Sequence, residues 1–159
     1  MTTNKRLATY LNNHLAASVG ALDLLASLAA DENNPEIARF AAGLQAEIEA
    51  EQQAVGDLMD RLEITKNRPQ QAVGWLSQKL SQVKLRFDDP DDGALYLLES
   101  LELMLIAIEG KSGLWRALAA AEVPGMSVAE YERYAAQSAE QQRRVELHRL
   151  AAARTAFST

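Results

Sequence analysis

Apolar residues recur at alternating spacings of three and four along most of this chain, the period of one face of an α-helix rather than of a strand. Ala8, Leu11, Leu15, Ser18, Leu22, Leu25 and Ala29 form the first such stripe and predict a helix from about Thr3 to Ala30. DENNP interrupts it, with Asn34 placed to cap a second helix and Pro35 at its first position. The second stripe is Ile37, Ala41, Leu44, Ile48, Glu51, Val55, Leu58 and Leu62, predicting a helix over Pro35 to Leu62 with a glutamate on its apolar face. After ITKNRP, Val73, Leu76, Leu80 and Val83 predict a shorter helix from Pro69 to Arg86. Lys66, Arg68, Lys79, Lys84 and Arg86 make that neighbourhood basic.

DDPDDG, Asp88 to Gly93, reads as a turn and helix start, because acidic groups are favoured beside a helix N-terminus. It lacks the alternating aspartates and the distant glutamate of a calcium loop. A third long helix is predicted from Asp92 to Ala121. VPGMS breaks it, and Ser127 followed by Glu130 forms a capping box opening a fourth, up to about Ala156. No strand pattern competes. The expectation is a single all-α domain spanning 1–159, a four-helix bundle. Two helical pairs around a long connection fit ferritin-like connectivity, with the short helix in the crossover; an up-down bundle with an added short helix is the alternative.

Composition narrows the function. The net charge of −6 argues against a nucleic-acid partner. The absence of cysteine removes disulfides, thiol nucleophiles and Cys-type metal centres. Asn12, Asn13 and His14 interrupt the apolar run that a signal peptide needs, and no run is long enough to span a bilayer. A cytoplasmic protein is therefore expected.

The stretch ESLELMLIAIEGKSGLWRAL, Glu99 to Leu118, is the most demanding part of the chain. Glu102, Glu109 and Arg116 lie seven apart on one side of its helix, flanked by Leu98, Leu105 and Ser112, with Glu99 near the edge. Met104, Ile108 and Trp115 cover the other side. A helix apolar almost all round is expected at the centre of a bundle, so the acidic line is expected to face other helices. Glu47 and Glu51 on the second helix and His14 on the first are possible partners. So are Gln142 and Arg149, on an inward line reading Tyr131, Tyr134, Ala135, Ser138, Gln142, Val145, Arg149 and Ala152.

Carboxylates converging in a bundle are how di-iron proteins hold metal, but those sites need Glu-x-x-His on two helices. Neither His14 nor His148 has a glutamate three residues before it. The expectation is thus a buried polar network of His14, Glu47, Glu51, Glu99, Glu102, Glu109, Arg116, Gln142 and Arg149, with Arg149 as counter-charge. No catalytic residue and no cofactor are expected. The alternative is iron or manganese held by Glu51, Glu102, Glu109 and His14 in a metal-dependent oxidoreductase or metal-binding protein. A second alternative is a small molecule bound in the bundle core.

Trp75 with Lys79 and Trp115 with Lys111 could hold a stacked cation, though a packed aromatic beside a solvated lysine is the plainer reading. Tyr131 and Tyr134 read as core-edge residues. GKSG lacks the preceding strand and upstream glycine of a phosphate loop; Gly110 and Gly113 are expected instead to let another helix approach. Leu147, Leu150 and Phe157 fall off the inward line of the fourth helix, which leads to the expectation of a homodimer.

The segments NNHLAAS, LQAEIEAEQQAVGDLMDRL, VGWLSQKLSQVKLRF, LLESLELMLIAIEGKSGLWRAL and QQRRVELHRLAAARTAF resemble a family of uncharacterised bacterial proteins with ferritin-like bundles. The resemblance implies that fold. Iron storage and oxygen activation in ferritins travel with the glutamate and histidine ligands, so the resemblance does not bring those activities here. A non-catalytic bundle acting through protein or ligand contacts is the leading expectation.

Overall fold

A computed structural model describes residues 4–67 and 93–158. Four helices are present among them and no strand: α1 (Lys5–Ala29), α2 (Pro35–Arg61), α3 (Ala94–Ala120) and α4 (Val128–Phe157). The expected helix Pro69–Arg86, the Trp75 and Lys79 pair and the aspartates from Asp88 to Asp92 lie outside the described residues.

The helix starts follow from local chemistry. Asn34 accepts from the Ile37 amide at 3.2 Å, and Pro35 needs no donor at the first helical position. Ser127 and Glu130 satisfy each other's amides, so the expected capping box opens α4.

α1 pairs with α2 and α3 with α4 as antiparallel hairpins, while α1 also packs on α3 and α2 on α4. α2 and α3 therefore face each other along a diagonal of the bundle. One end of the core gathers Leu25 and Leu28 from the end of α1, Ile37 and Leu44 from the start of α2, and Leu98 and Leu101 from the start of α3. The other gathers Leu11, Leu58, Trp115, Leu118 and Tyr131. α2 and α3 thus begin at the same end and run parallel.

The α3–α4 turn docks on the end of α2. Gly125 sits there at φ 100°, a conformation that favours glycine, and a Cβ would stand 2.9 Å from Leu58 Cδ1, so that side chain would also have to shift. Arg61 Nη1 donates to the Gly125 carbonyl at 3.0 Å, and the buried Tyr131 hydroxyl donates to that of Val123 at 3.0 Å.

Three local expectations are corrected. α3 is not enclosed on all sides, since Ile106 is 69% exposed. Gly110 and Gly113 are not points of close helix approach, because a Cβ at either would meet nothing within 4 Å. The inward line of α4 runs through Gln141 rather than Gln142: Tyr131, Ser138, Gln141, Val145 and Ala152 are its buried residues. Leu147, Leu150 and Phe157 stand exposed on its outer side. Among the described residues, no helix is long and apolar enough to cross a membrane.

Candidate functional site

A seam of buried and half-buried residues at three-four alternation runs along α2, α3 and α4, and at mid-height polar residues occupy it. In α2 the seam reads Leu44, Ile48, Glu51, Val55, Leu58; in α3, Leu101, Met104, Ile108, Lys111, Trp115, Leu118; in α4, Tyr131, Tyr134, Ser138, Gln141, Val145. Glu51, Lys111, Ser138 and Gln141 consequently meet inside the bundle.

Lys111 is the centre of this group. Its Nζ donates to Glu51 Oε2 at 2.7 Å, Ser138 Oγ at 2.8 Å and Gln141 Oε1 at 2.6 Å. Three oxygens around one nitrogen match the three hydrogens of an ammonium group. Ser138 uses its own hydrogen on the Tyr134 carbonyl at 3.0 Å, so it is an acceptor toward Lys111. The long lysine stem lets the charge cross the bundle diagonal from α3 to α2 while its methylenes stay among apolar neighbours. The Glu51 side chain is 2% exposed and that of Lys111 14%, so this is a buried ion pair.

The network continues outward. Gln141 Nε2 donates weakly to Glu51 Oε2 at 3.4 Å and Glu47 Oε1 at 3.5 Å. Arg144 then grips Glu47 with two bonds, Nη2 to Oε1 at 2.6 Å and Nη1 to Oε2 at 3.0 Å. Hydrogen bonding from Arg144 holds the Glu47 carboxyl below the usual carboxylate range. Burial acts oppositely inside, pushing the Glu51 carboxyl up and the Lys111 ammonium down from their usual values, with each partner's charge opposing the shift.

A cavity of about 340 Å³ adjoins the ion pair between α1, α2 and α3. Between Leu15 and Leu24, α1 presents the small residues Ala17, Ser18, Gly20 and Ala21 to it, against Ile48 and Val55 of α2 and Met104, Ile108 and Leu114 of α3. Glu51, Lys111 and Trp115 are part of its wall. So is His14, whose ring meets Tyr10 edge-on at 4.6 Å between centroids and whose pKa burial lowers.

The expected network is therefore redrawn. Glu47 and Glu51 belong to it; the acidic line of α3 does not. Glu109 and Arg116 pair with each other at 3.0 Å with side chains 61% and 62% exposed, and Gln142 donates to Glu109 at the same surface. Glu102 is 48% exposed and lies 3.5 Å from Arg149, whose shorter partner is Glu146 at 2.6 Å. These groups sit opposite the seam that holds Lys111, so water solvates them. Glu99 is half-buried, with Oε2 unpartnered among the described residues, and does not join Lys111. His14 makes no ion pair with a carboxylate there. Glu51, Glu102, Glu109 and His14 are thus not assembled as ligands, and no group of three or more His, Asp or Glu side chains suited to a metal occurs among the described residues. Lys111, expected in solvent, is instead the central cation. Its seam spacing from Ile108 and Trp115 is the signal that identifies it, as the spacing from Ser138 and Val145 identifies Gln141. Trp115 stacks on Tyr134, with ring centroids 4.4 Å apart, and on no cation among the described residues.

Comparison with known family models, curated proteins and solved structures finds no match to this chain.

Lys111→Met strands the buried Glu51 charge and should cost about 3–5 kcal/mol. That corresponds to a melting temperature lowered by roughly 10 °C. Glu51→Met together with Lys111→Met removes both charges and should recover most of the loss. Glu102→Gln, at the surface, should melt close to wild type. Thermal denaturation of the wild type and these three variants checks the pattern; a double variant melting no higher than Lys111→Met would contradict a coupled pair.

Glu47 supplies a pH test. A carboxyl held low in the folded state stabilises above its unfolded pKa, and the contribution disappears as pH falls through the folded value. The stability gap between wild type and Glu47→Gln should thus be full at neutral pH and close under acid conditions, below the usual carboxylate range. Urea titrations across that range measure it, and a gap independent of pH would refute the Arg144 pairing.

Proposed function

We propose that this protein is a non-catalytic, ferritin-like helical bundle that binds a small, mostly apolar molecule between α1, α2 and α3. The observation that carries this reading is the cavity of about 340 Å³ with an apolar lining and a buried ion pair in its wall. That volume lies within the range of small-molecule sites, which are apolar with a few placed polar groups. The parallel course of α2 and α3 supports the ferritin-like connectivity. The non-catalytic part is supported by Lys111, whose nitrogen is held by three neighbours and paired with Glu51 rather than presented free as a nucleophile. Self-association through the α4 face of Leu147, Leu150 and Phe157 belongs to the same proposal.

A ligand that binds only the folded state stabilises it by RT ln(1 + [L]/Kd), about 2.7 kcal/mol at a hundredfold excess over Kd. Small cyclic hydrocarbons and alcohols should therefore raise the melting temperature of the wild type. Ala107 lines the cavity; Ala107→Phe, which fills it, should abolish the rise while leaving the protein folded. A wild-type melting temperature unmoved by every molecule of that size range would remove the reading.

A further inference from the structure

The cavity between α1, α2 and α3 is long, and its length has a direction. Its His14 end lies toward the cluster of Leu11, Leu114 and Trp115, and its Leu24 end toward that of Leu25, Ile48 and Met104. His14 and Leu24 stand ten residues apart on α1, which is about 15 Å of helix. A round space of 340 Å³ would be much shorter, so the cavity is a channel along the helices. Ala17 and Ile106 line it and are exposed, which puts its mouth between α1 and α3.

Polarity is graded along the same direction. Toward His14 the wall includes Ser18, Gln52 and Lys111; toward Leu24 it includes Ala21, Ile48, Leu103 and Met104. The first three are engaged inside the protein. Ser18 donates to the Leu15 carbonyl at 2.6 Å and accepts from Gln52 Nε2 at 2.8 Å, and Lys111 has its three oxygens. Glu51 Oε1 and Trp115 Nε1 lack partners but are closed off, beyond the reach of an occupant. His14 differs. Its half-buried ring lines the cavity without a hydrogen-bond partner among the described residues, and neither nitrogen is one of the closed-off atoms. Burial lowers its pKa, so at neutral pH the ring is uncharged, with one N–H donor and one bare nitrogen. Glu51 is balanced by Lys111 and Glu47 by Arg144. A charged head group would therefore lose its hydration without a countercharge to replace it.

We propose that the occupant is a straight-chain alcohol lying along α1, its hydroxyl hydrogen-bonded to the His14 ring and its alkyl chain running toward Leu24 and Met104. This rests on the cavity being a ligand site and specifies the class and direction of the molecule it takes. Compact molecules leave part of the channel empty, carboxylates and amines bring an uncompensated charge, and alkanes leave the His14 ring unused.

The test is an NMR titration of the full chain at neutral pH with 1-butanol, 1-hexanol, 1-octanol, cyclohexanol and octanoate. Each methylene buried along the channel should tighten binding about fourfold, so 1-octanol should bind at least about tenfold more tightly than 1-hexanol. Octanoate should bind at least about tenfold more weakly than 1-octanol. In the 1-octanol complex, nuclear Overhauser contacts should join the carbinol methylene to His14 and the terminal methyl to Leu24 and Met104. The His14 ring ¹⁵N signals, assigned by their loss in His14→Leu, should shift on binding. The chain has two histidines, so His148→Gln assigns them equally if His14→Leu does not fold. Affinity that stops rising at 1-hexanol, or cyclohexanol binding as tightly as 1-octanol, would overturn the elongated occupant and leave the cavity reading standing. Reversed contacts or unmoved His14 signals would overturn the placement of the hydroxyl, and octanoate binding as tightly as 1-octanol would overturn the neutral head. Binding of none of the five would overturn both this inference and the cavity reading.

Discussion

An ammonium group inside a helical bundle must find acceptors for all three of its hydrogens, and Lys111 finds them on the two helices that face α3. Glu51 on α2, with Ser138 and Gln141 on α4, surround it at hydrogen-bond distance. The requirement reaches well beyond the pair itself. It sets the rotation of α4, since Gln141 rather than Gln142 must turn inward. It also fixes the relative height of α2 and α3, which face each other only across the diagonal. Buried pairs of this kind add little net stability, but an out-of-register packing would leave a charge without its partner. We read the Lys111 network as a register device for a bundle whose remaining core contacts are apolar and non-directional.

The same level of the bundle is where packing is incomplete. α1 supplies alanine, glycine and serine there, while α2 and α3 supply Ile48, Val55, Met104 and Leu114. Larger residues on α1 would close the gap and seal the ion pair away. Small ones leave a cavity beside the pair. Order and vacancy are thus two consequences of one cross-section: polar seam residues on three helices and small residues on the fourth.

The helices were legible because their evidence is local. Asn34 with Pro35 and Ser127 with Glu130 mark starts, and the three-four spacing marks lengths. The glutamate in the α2 stripe was legible for the same reason. α3 is ambiguous by sequence, because its apolar residues surround the helix and leave its inward direction undetermined. Glu102, Glu109 and Arg116 share a side, but so do Met104, Ile108, Lys111 and Trp115, and the core lies on the second side. A lysine is ordinarily solvated, so Lys111 does not declare itself as a core residue by type, only by its seam spacing. Pairing across a diagonal depends on the relative rotation of two helices, which no single helix's sequence encodes. Arg144 was missed likewise, since its partner Glu47 lies 97 residues away.

The most direct measurement is the protonation and exchange of the Lys111 side chain itself. In ¹⁵N-lysine protein at neutral pH and low temperature, Lys111 should give a resolved, slowly exchanging ammonium signal with couplings to three hydrogens. ¹³C labelling of Glu51 should show an ionised carboxylate whose shift changes in Lys111→Met. A Lys111 signal that exchanges as fast as those of surface lysines, or that has the shift of a neutral amine, would contradict the buried ion pair.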